Sequence, residues 1–404
     1  MKDRYDILII GGGIIGSSIA MSLADKKGGR IAVLDPDLSG IYSSSENNAG
    51  GVRATWWDEV NILLSLHSIK FFEKIAGDVG FRQAGYLWLH GSDTWRKAET
   101  MIAFQNRFGL NIEDLSPADI TRRIPEIDNI SDIAGATFSP MDGLINPNLL
   151  RNYYRKRAAE MGVEFIDRIL VKRIVLMDKR VIGAECARLA DPDEIVLEEI
   201  LTSGRPYGHY TTEMYGCNIL VNAAGAWAPA IAGMYGSELP SYPLRRQVSV
   251  THSPDVDLSG CGMIVDTSGL YFHPEAGNIL AGYSIHDEPP GYNFKYDGYD
   301  FFLKEIWPRL YNRISRLERL GHVRGWAGLY EVSKDKSAII GRVSGLDNVY
   351  EAHSFSGRGV MQSYAAGLAL AEIIIDGRYQ TLDLTQLSGS RFKEGKEMPE
   401  VLHI

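Results

Sequence analysis

Residues 6–35 constrain the chain more than any other stretch. The apolar run DILII (6–10) leads into GGGIIG (11–16), and small and apolar residues continue through Leu23 and Ala24. The uncharged stretch 7–24 approaches the roughly 20 apolar residues of a membrane-spanning helix. Three successive glycines argue against that reading, because each costs a helix centre about 1 kcal/mol relative to Ala. A strand-to-helix turn accounts for them. Gly11, Gly13 and Gly16 fit G-x-G-x-x-G, whose glycines allow a tight turn, close approach of backbone N–H groups to a pyrophosphate, and close packing of helix on strand. Gly28 and Gly29 end the helix, and Arg30–Leu34 makes a second strand. Asp35 follows it, about 20 residues beyond the glycines, where an acid accepts hydrogen bonds from a ribose hydroxyl.

The rest of the composition narrows the class. A chain of 404 residues buries a large core and divides into two domains. Net charge is −9, and basic residues cluster only in short pairs such as Arg245-Arg246, so nucleic acid is not expected as a partner. With the 7–24 run assigned to a βαβ unit, neither a cleavable signal nor a transmembrane segment is expected. Cys186, Cys217 and Cys261 are scattered without a C-x-x-C pair, which reads as reduced thiols in a cytoplasmic protein. The nine histidines form no H-x-x-x-H pair, and no metal site is expected.

The βαβ fingerprint serves NAD and FAD alike. Three further segments bear on the choice. Residues 43–53, SSSENNAGGVR, form a small polar loop where an NAD enzyme would continue into helix and strand, and such a loop suits a pyrophosphate and a polar ring edge. Residues 219–227, ILVNAAGAW, read as an apolar strand ending in small residues that let another backbone approach. Residues 353–368, HSFSGRGVMQSYAAGL, place a Gly-x-Gly turn before a helix running to about Ile375. The positive end of that helix suits the charge of a reduced flavin.

Taken in order, GGGIIG, SSSENNAGGVR, VNAAGAW, RGWAGLYEVSKDKSAIIG and HSFSGRGVMQSYAAG resemble the FAD-dependent D-amino-acid oxidase family, which includes glycine oxidase, sarcosine oxidases and the β subunits of dye-linked proline dehydrogenases. Residues 297–384 look especially like the mitochondrial FAD-dependent oxidoreductase domain-containing proteins linked to respiratory complex I assembly. The resemblance implies an α/β fold in which a discontinuous Rossmann-like FAD-binding domain is interleaved with a substrate domain on a mostly antiparallel sheet. It assigns residues 1–82, 145–232 and 330–388 to the first, 83–144 and 233–329 to the second, and 389–404 to a C-terminal tail.

The resemblance also distributes roles. Gly11, Gly13 and Gly16 go to the pyrophosphate and Asp35 to the adenosine ribose, while Ser44, Ser45, Asn48, Ala49, Gly50 and Gly51 line the flavin side of the first crossover. Val171 meets adenine; Ala224, Gly225 and Trp227 pack on the dinucleotide; Gly357, Arg358, Gly359, Val360 and Met361 lie beside the flavin pyrimidine. Arg53 grips a substrate carboxylate, which a guanidinium fork can hold bidentately. Tyr271 and Tyr330 face the flavin, Arg358 adds a cation near flavin or substrate or points to solvent, and His273 is structural.

Departures from the family pattern refine this. Gly328 stands where covalently flavinylated relatives carry cysteine, so FAD is expected to bind noncovalently. Leu280 stands where the oxygen-activating lysine of oxidases falls, which favours a dehydrogenase passing electrons to a separate acceptor. Met361 replaces a substrate-binding lysine, and Gly357-Arg358-Gly359 replaces G-H-G. Residues 282–302, rich in Tyr, read as a packed connection in preference to a closing loop. Residues 187–218 read as a hairpin or excursion of unknown use. The function expected is oxidation of a small carboxylated amine or amino acid by hydride transfer from Cα to flavin N5. Its rivals are oxidation of a hydroxy acid or polyol phosphate, a flavoprotein acting in assembly or interaction, and a subunit of a heteromeric dye-linked dehydrogenase.

Overall fold

In the strand Asp3–Ile10 every side chain from Ile7 to Ile10 is buried, the pattern of a parallel strand covered on both faces. The computed structural model, which describes residues 3–400, pairs this strand in parallel with Ile31–Leu34 on one side and Tyr210–Asn222 on the other. Glu164–Ile166 extends the sheet beyond Ile31–Leu34. On the opposite side Val349–His353 follows in parallel, and Ile339–Arg342 closes the edge antiparallel to it. An antiparallel pair, Ile169–Met177 and Arg180–Leu189, branches from the beginning of Tyr210–Asn222 and completes eight strands.

The glycine turn works by contact. Gly11 sits at φ +101°, and a Cβ there would lie 2.3 Å from the Ala223 carbonyl oxygen. A Cβ on Gly16 would lie 1.9 Å from the Gly11 carbonyl oxygen, so only glycine lets the helix Ile14–Asp25 start this close to the strand. The C-terminal helix Gly359–Ile375 packs against that helix at Gly367, where a Cβ would meet Ser18 Oγ at 2.4 Å. Both helices join one large apolar core with Glu59–Lys74 and Pro147–Glu160.

The second eight-stranded sheet runs Gly321–Ser333, Ser241–His252, Asn278–Tyr283, Tyr271–Glu275, Met263–Val265, Tyr86–His90, Gly135–Ser139 and Glu113–Leu115. All neighbours are antiparallel except Met263–Val265 with Tyr86–His90. One face packs Phe272, Ile279 and Leu87 against Phe301, Ile306 and Leu310. The other carries Val248, Tyr271, Leu280, Tyr86 and Met263 toward the first sheet. A short ribbon of Gly51–Val52 with Gly143–Leu144 lies apart from both sheets.

Three segments bear on expectations drawn from the sequence. Residues 187–218 are a hairpin whose tip carries the helix Glu194–Ser203, capped by the Asp193 side chain and stopped by Gly204 at φ +65°. The 282–302 loop is a packed connection: Tyr292 stacks on Trp227 at 5.6 Å, and Glu288 and Asp297 pair with Arg245. Residues 389–400, expected as a tail, fold back onto the body, with Arg391 buried against Asp335.

Candidate active site

Where the two sheets meet, a cavity of about 360 Å³ is walled by the starts of two helices. Gly13, Ile14 and Ile15 come from the first and Gly359 and Val360 from the last. Neither helix is capped by the side chain of its own first residue. Their positive ends therefore face a common space, an arrangement suited to pyrophosphate at one and a negatively charged ring at the other. Ser45 Oγ accepts a hydrogen bond from the Ile14 amide at 2.9 Å and so joins the polar loop to the helix start.

Asp35 lies in the wall of this cavity with its carboxylate accepting from the Gly12 amide at 2.6 Å and the Asp37 amide at 2.8 Å. Burial pushes its carboxyl up to about 6 against these hydrogen bonds. Arg155 binds the Gly12 carbonyl from the other side, fixing the glycine turn. Ser44 donates to the Leu329 carbonyl at 2.5 Å, and Asn48 accepts from the Gly50 amide at 2.7 Å, so the 44–50 loop is held by its own polar side chains. His273 Nε2 touches the Ala49 carbonyl oxygen at 2.9 Å, the structural role expected of it.

A second, smaller cavity of about 50 Å³ adjoins the first, sharing Asn48, Ala49, Tyr271, Tyr330 and Gly357 as walls. Gly357 at φ +89° leaves room for the Tyr330 ring, which a Cβ would meet at 2.5 Å. Arg53 and Arg358 line this chamber alone, together with Gly51, Trp56, Tyr86, Met263, Ser356 and Met361. Arg53 is 3% exposed, donates to the Thr55 carbonyl at 2.9 Å, and lies 3.6 Å over the Trp56 ring. Burial lowers its affinity for the proton, while Tyr86, Glu400, Asp142 and Tyr330 favour the charged form. Asp142 positions the segment by accepting from the Ala54 amide at 2.8 Å and from the Thr55 hydroxyl at 3.1 Å. Arg358 is 1% exposed and lies 4.5 Å from the same indole.

The expected residues thus fall into groups. Gly11, Gly13, Asp35, Ser44, Ser45, Asn48, Ala49, Val171, Ala224, Gly225, Trp227, Gly357, Gly359 and Val360 surround the larger cavity. Tyr271 and Tyr330 stand between the two cavities, whereas Gly51, Arg53, Arg358 and Met361 belong to the smaller one. Gly16 and Gly50 line neither; they make the close backbone contacts beneath the wall, Gly50 against the Ile145 carbonyl.

Sequence reasoning missed four contributions. Ile200, Leu201, Ser203 and Gly204 of the hairpin-tip helix cover the larger cavity beside Val171, and Trp227 Nε1 donates to the Leu201 carbonyl at 2.7 Å. Arg246 enters the same cavity with its guanidinium 5.2 Å from the Tyr330 ring, while its neighbour Arg245 turns to Glu288 and Asp297. Period-two alternation on a strand is the signal that separates such a pair. Glu331 is buried against the Phe355 amide, and Arg155 braces the glycine turn. Neither cavity contains a cysteine among its described lining residues, so no thiol stands ready for a covalent link. Gly328 lines the larger cavity with so little room that a Cβ would come within 2.9 Å of Asn47 Cβ.

Residues 6–373 match the DAO family, described as FAD dependent oxidoreductase. The chain is 30% identical to FAD-dependent oxidoreductase domain-containing protein 1 of Xenopus laevis, across 96% of this chain and 83% of that protein. It is 26% identical to sarcosine oxidase subunit beta of Rhizobium meliloti, across 94% of this chain and 86% of that one. L-proline dehydrogenase from P. horikoshii shares its fold with a TM-score of 0.84 and 27% identity, covering 98% of this chain and 100% of the other.

Proposed function

Because this chain belongs to the DAO family of FAD-dependent oxidoreductases, we propose that it oxidises a small carboxylated amine, a D-amino, N-methyl or imino acid. FAD, when bound, supplies the hydride acceptor at N5 for the hydrogen on the substrate Cα. The glycine turn, the 44–50 loop and the starts of the two buried helices would hold it. The observation that carries the substrate reading is Arg53, a buried guanidinium in the wall of a small chamber that opens between Tyr271 and Tyr330 toward the cofactor cavity. A guanidinium in that place fixes a carboxylate and with it the position of the α-carbon. Little proton-transfer machinery is required when the amine arrives neutral, and no histidine among the described residues lines either wall.

Leu280 supports a dehydrogenase in preference to a fast oxidase: it is buried with Val248, Tyr271 and Trp326, where a lysine would lack a partner. A partner subunit fits a second observation, that sarcosine oxidase subunit beta, a relative along most of its length, is by its name one subunit of a larger enzyme. No described helix is long and apolar enough to cross a membrane.

The test is an anaerobic absorbance titration of the FAD-loaded protein with D-amino, N-methyl, imino and hydroxy acids. Bleaching of the flavin band by an amino-acid class and not by hydroxy acids is the expected result, with slow reoxidation in air. Bleaching by hydroxy acids alone would overturn the substrate class. A flavin band that no compound bleaches, in a protein that copurifies with a partner, would replace the catalytic reading by an assembly or subunit role.

A further inference from the structure

We propose that Arg358 and Arg53 together bind a substrate carrying two acidic groups, an amino acid with a second carboxylate; this rests on the amino-acid reading above. Arg358 is 1% exposed, yet its Nε, Nη1 and Nη2 have no hydrogen-bond partner among the described residues. Buried polar groups are almost always satisfied, and a buried cation without hydrogen bonds is among the costliest features a fold can carry. Burial pulls the Arg358 proton affinity down to about 10, helped by the neighbouring Arg53, so the group stays charged near neutral pH.

Glu400, Asp335 and Asp58 act on Arg358 through space, and none of them hydrogen-bonds it. Asp335 is held by two nitrogens of Arg391, and Glu400 accepts from the Trp57 amide. What Arg358 does face is the small chamber, beside Arg53. Both guanidinium carbons lie within 4.5 Å of the Trp56 ring centre, and both side chains line the same small chamber. The Trp56 indole supplies part of the stabilisation of the Arg358 cation. A monocarboxylate answers Arg53 and leaves the fork of Arg358 empty. A second carboxylate fills it, with two parallel charge-assisted hydrogen bonds.

The experiment is calorimetric titration of the FAD-loaded full chain with redox-inert acetate, malonate and succinate. Malonate or succinate is expected to bind at least tenfold more tightly than acetate. In Arg358→Met, which keeps an unbranched apolar stem and removes the charge together with its N–H donors, the dianion-to-monoanion ratio falls to near one; Arg358→Lys retains part of it. Thermal unfolding of Arg358→Met checks the fold, and loss of an unpaired buried cation is expected to leave it at least as stable. A ratio near one in the unsubstituted protein, or a ratio that Arg358→Met leaves unchanged, overturns the proposal. Bleaching by monocarboxylic amines together with a ratio near one removes this inference and leaves the amino-acid reading standing. A strong dianion preference in a protein that no amine reduces keeps the two-cation site and removes the amino-acid reading.

Discussion

Asp335 and Arg391 form a buried two-pronged ion pair, with Arg391 Nε 2.7 Å from one carboxylate oxygen and Nη2 2.9 Å from the other. The same carboxylate accepts from the amides of Ser337 and Met398, so it joins the turn after the long strand Gly321–Ser333 to the C-terminal segment. Asp335→Ala strands a buried guanidinium and lowers stability by about 3–5 kcal/mol in urea unfolding. Burial alone would raise the Asp335 carboxyl, but Arg391 and the Met398 amide outweigh it and hold the group below its usual range. A depressed folded value stabilises above the unfolded value of about 3.9 and is lost as pH falls through the folded one. Asp335→Asn therefore loses stability at neutral pH and shows a shallower acid decline than the unsubstituted protein.

Asp142 carries the opposite sign. Burial pushes its carboxyl up to about 6, against hydrogen bonds from the Ala54 amide and the Thr55 hydroxyl. A raised folded value gives stability that is full below about 3.9 and lost as pH rises through about 6. Asp142→Asn is expected to flatten the change in melting temperature between pH 4 and pH 7. Equal slopes in the two proteins would show that Asp142 titrates like an exposed carboxylate.

Gly357→Ala forces a side chain into positive φ and against Tyr330. The backbone and steric penalties together exceed about 1 kcal/mol, and they fall on the turn that precedes the C-terminal helix. Flavin content after purification drops, and added FAD restores less absorbance than in the unsubstituted protein. Full flavin occupancy in this variant would move the turn away from the cofactor.

Arg53→Met keeps the flavin, since Arg53 lines only the smaller cavity, and weakens carboxylated substrates. Removing one side of a buried charge pair costs about 2–5 kcal/mol, roughly 30-fold or more in KM. Steady-state kinetics with an acid and its methyl ester separate this effect: the acid loses its advantage, the ester does not change. Unchanged KM for the acid would place the carboxylate elsewhere.

What the sequence made legible follows from how local each signal is. Gly11, Gly13, Gly16 and Asp35 are read within one βαβ unit, and the structure places that unit as expected: Gly16 packs on Gly11 and Asp35 accepts from the Gly12 amide inside the unit, while the contact of Gly11 with Ala223 comes from a distant strand. The Gly357–Gly359 turn is local in the same way. Arg246 was not legible, because alternation separates it from Arg245 only once the register of Ser241–His252 against Gly321–Ser333 decides which face meets the cavity. Residues 200–204 reach the cavity through a hairpin whose direction depends on pairing with Ile169–Met177, far from their own sequence. The chamber's second guanidinium, Arg358, was visible as an unusual residue in its turn, but its burial and lack of partners are properties of packing.

The larger cavity draws its walls from residues 10–49, 169–171, 200–234, 246–271, 328–331 and 355–360, stretches far apart along the chain. A cofactor seated there is a crosslink in all but covalency, since it exists only when early and late segments have met. Ligand that binds the folded form alone adds about 4 kcal/mol at a thousand times its dissociation constant. Resistance of this protein to unfolding is thereby tied to the concentration of free FAD around it.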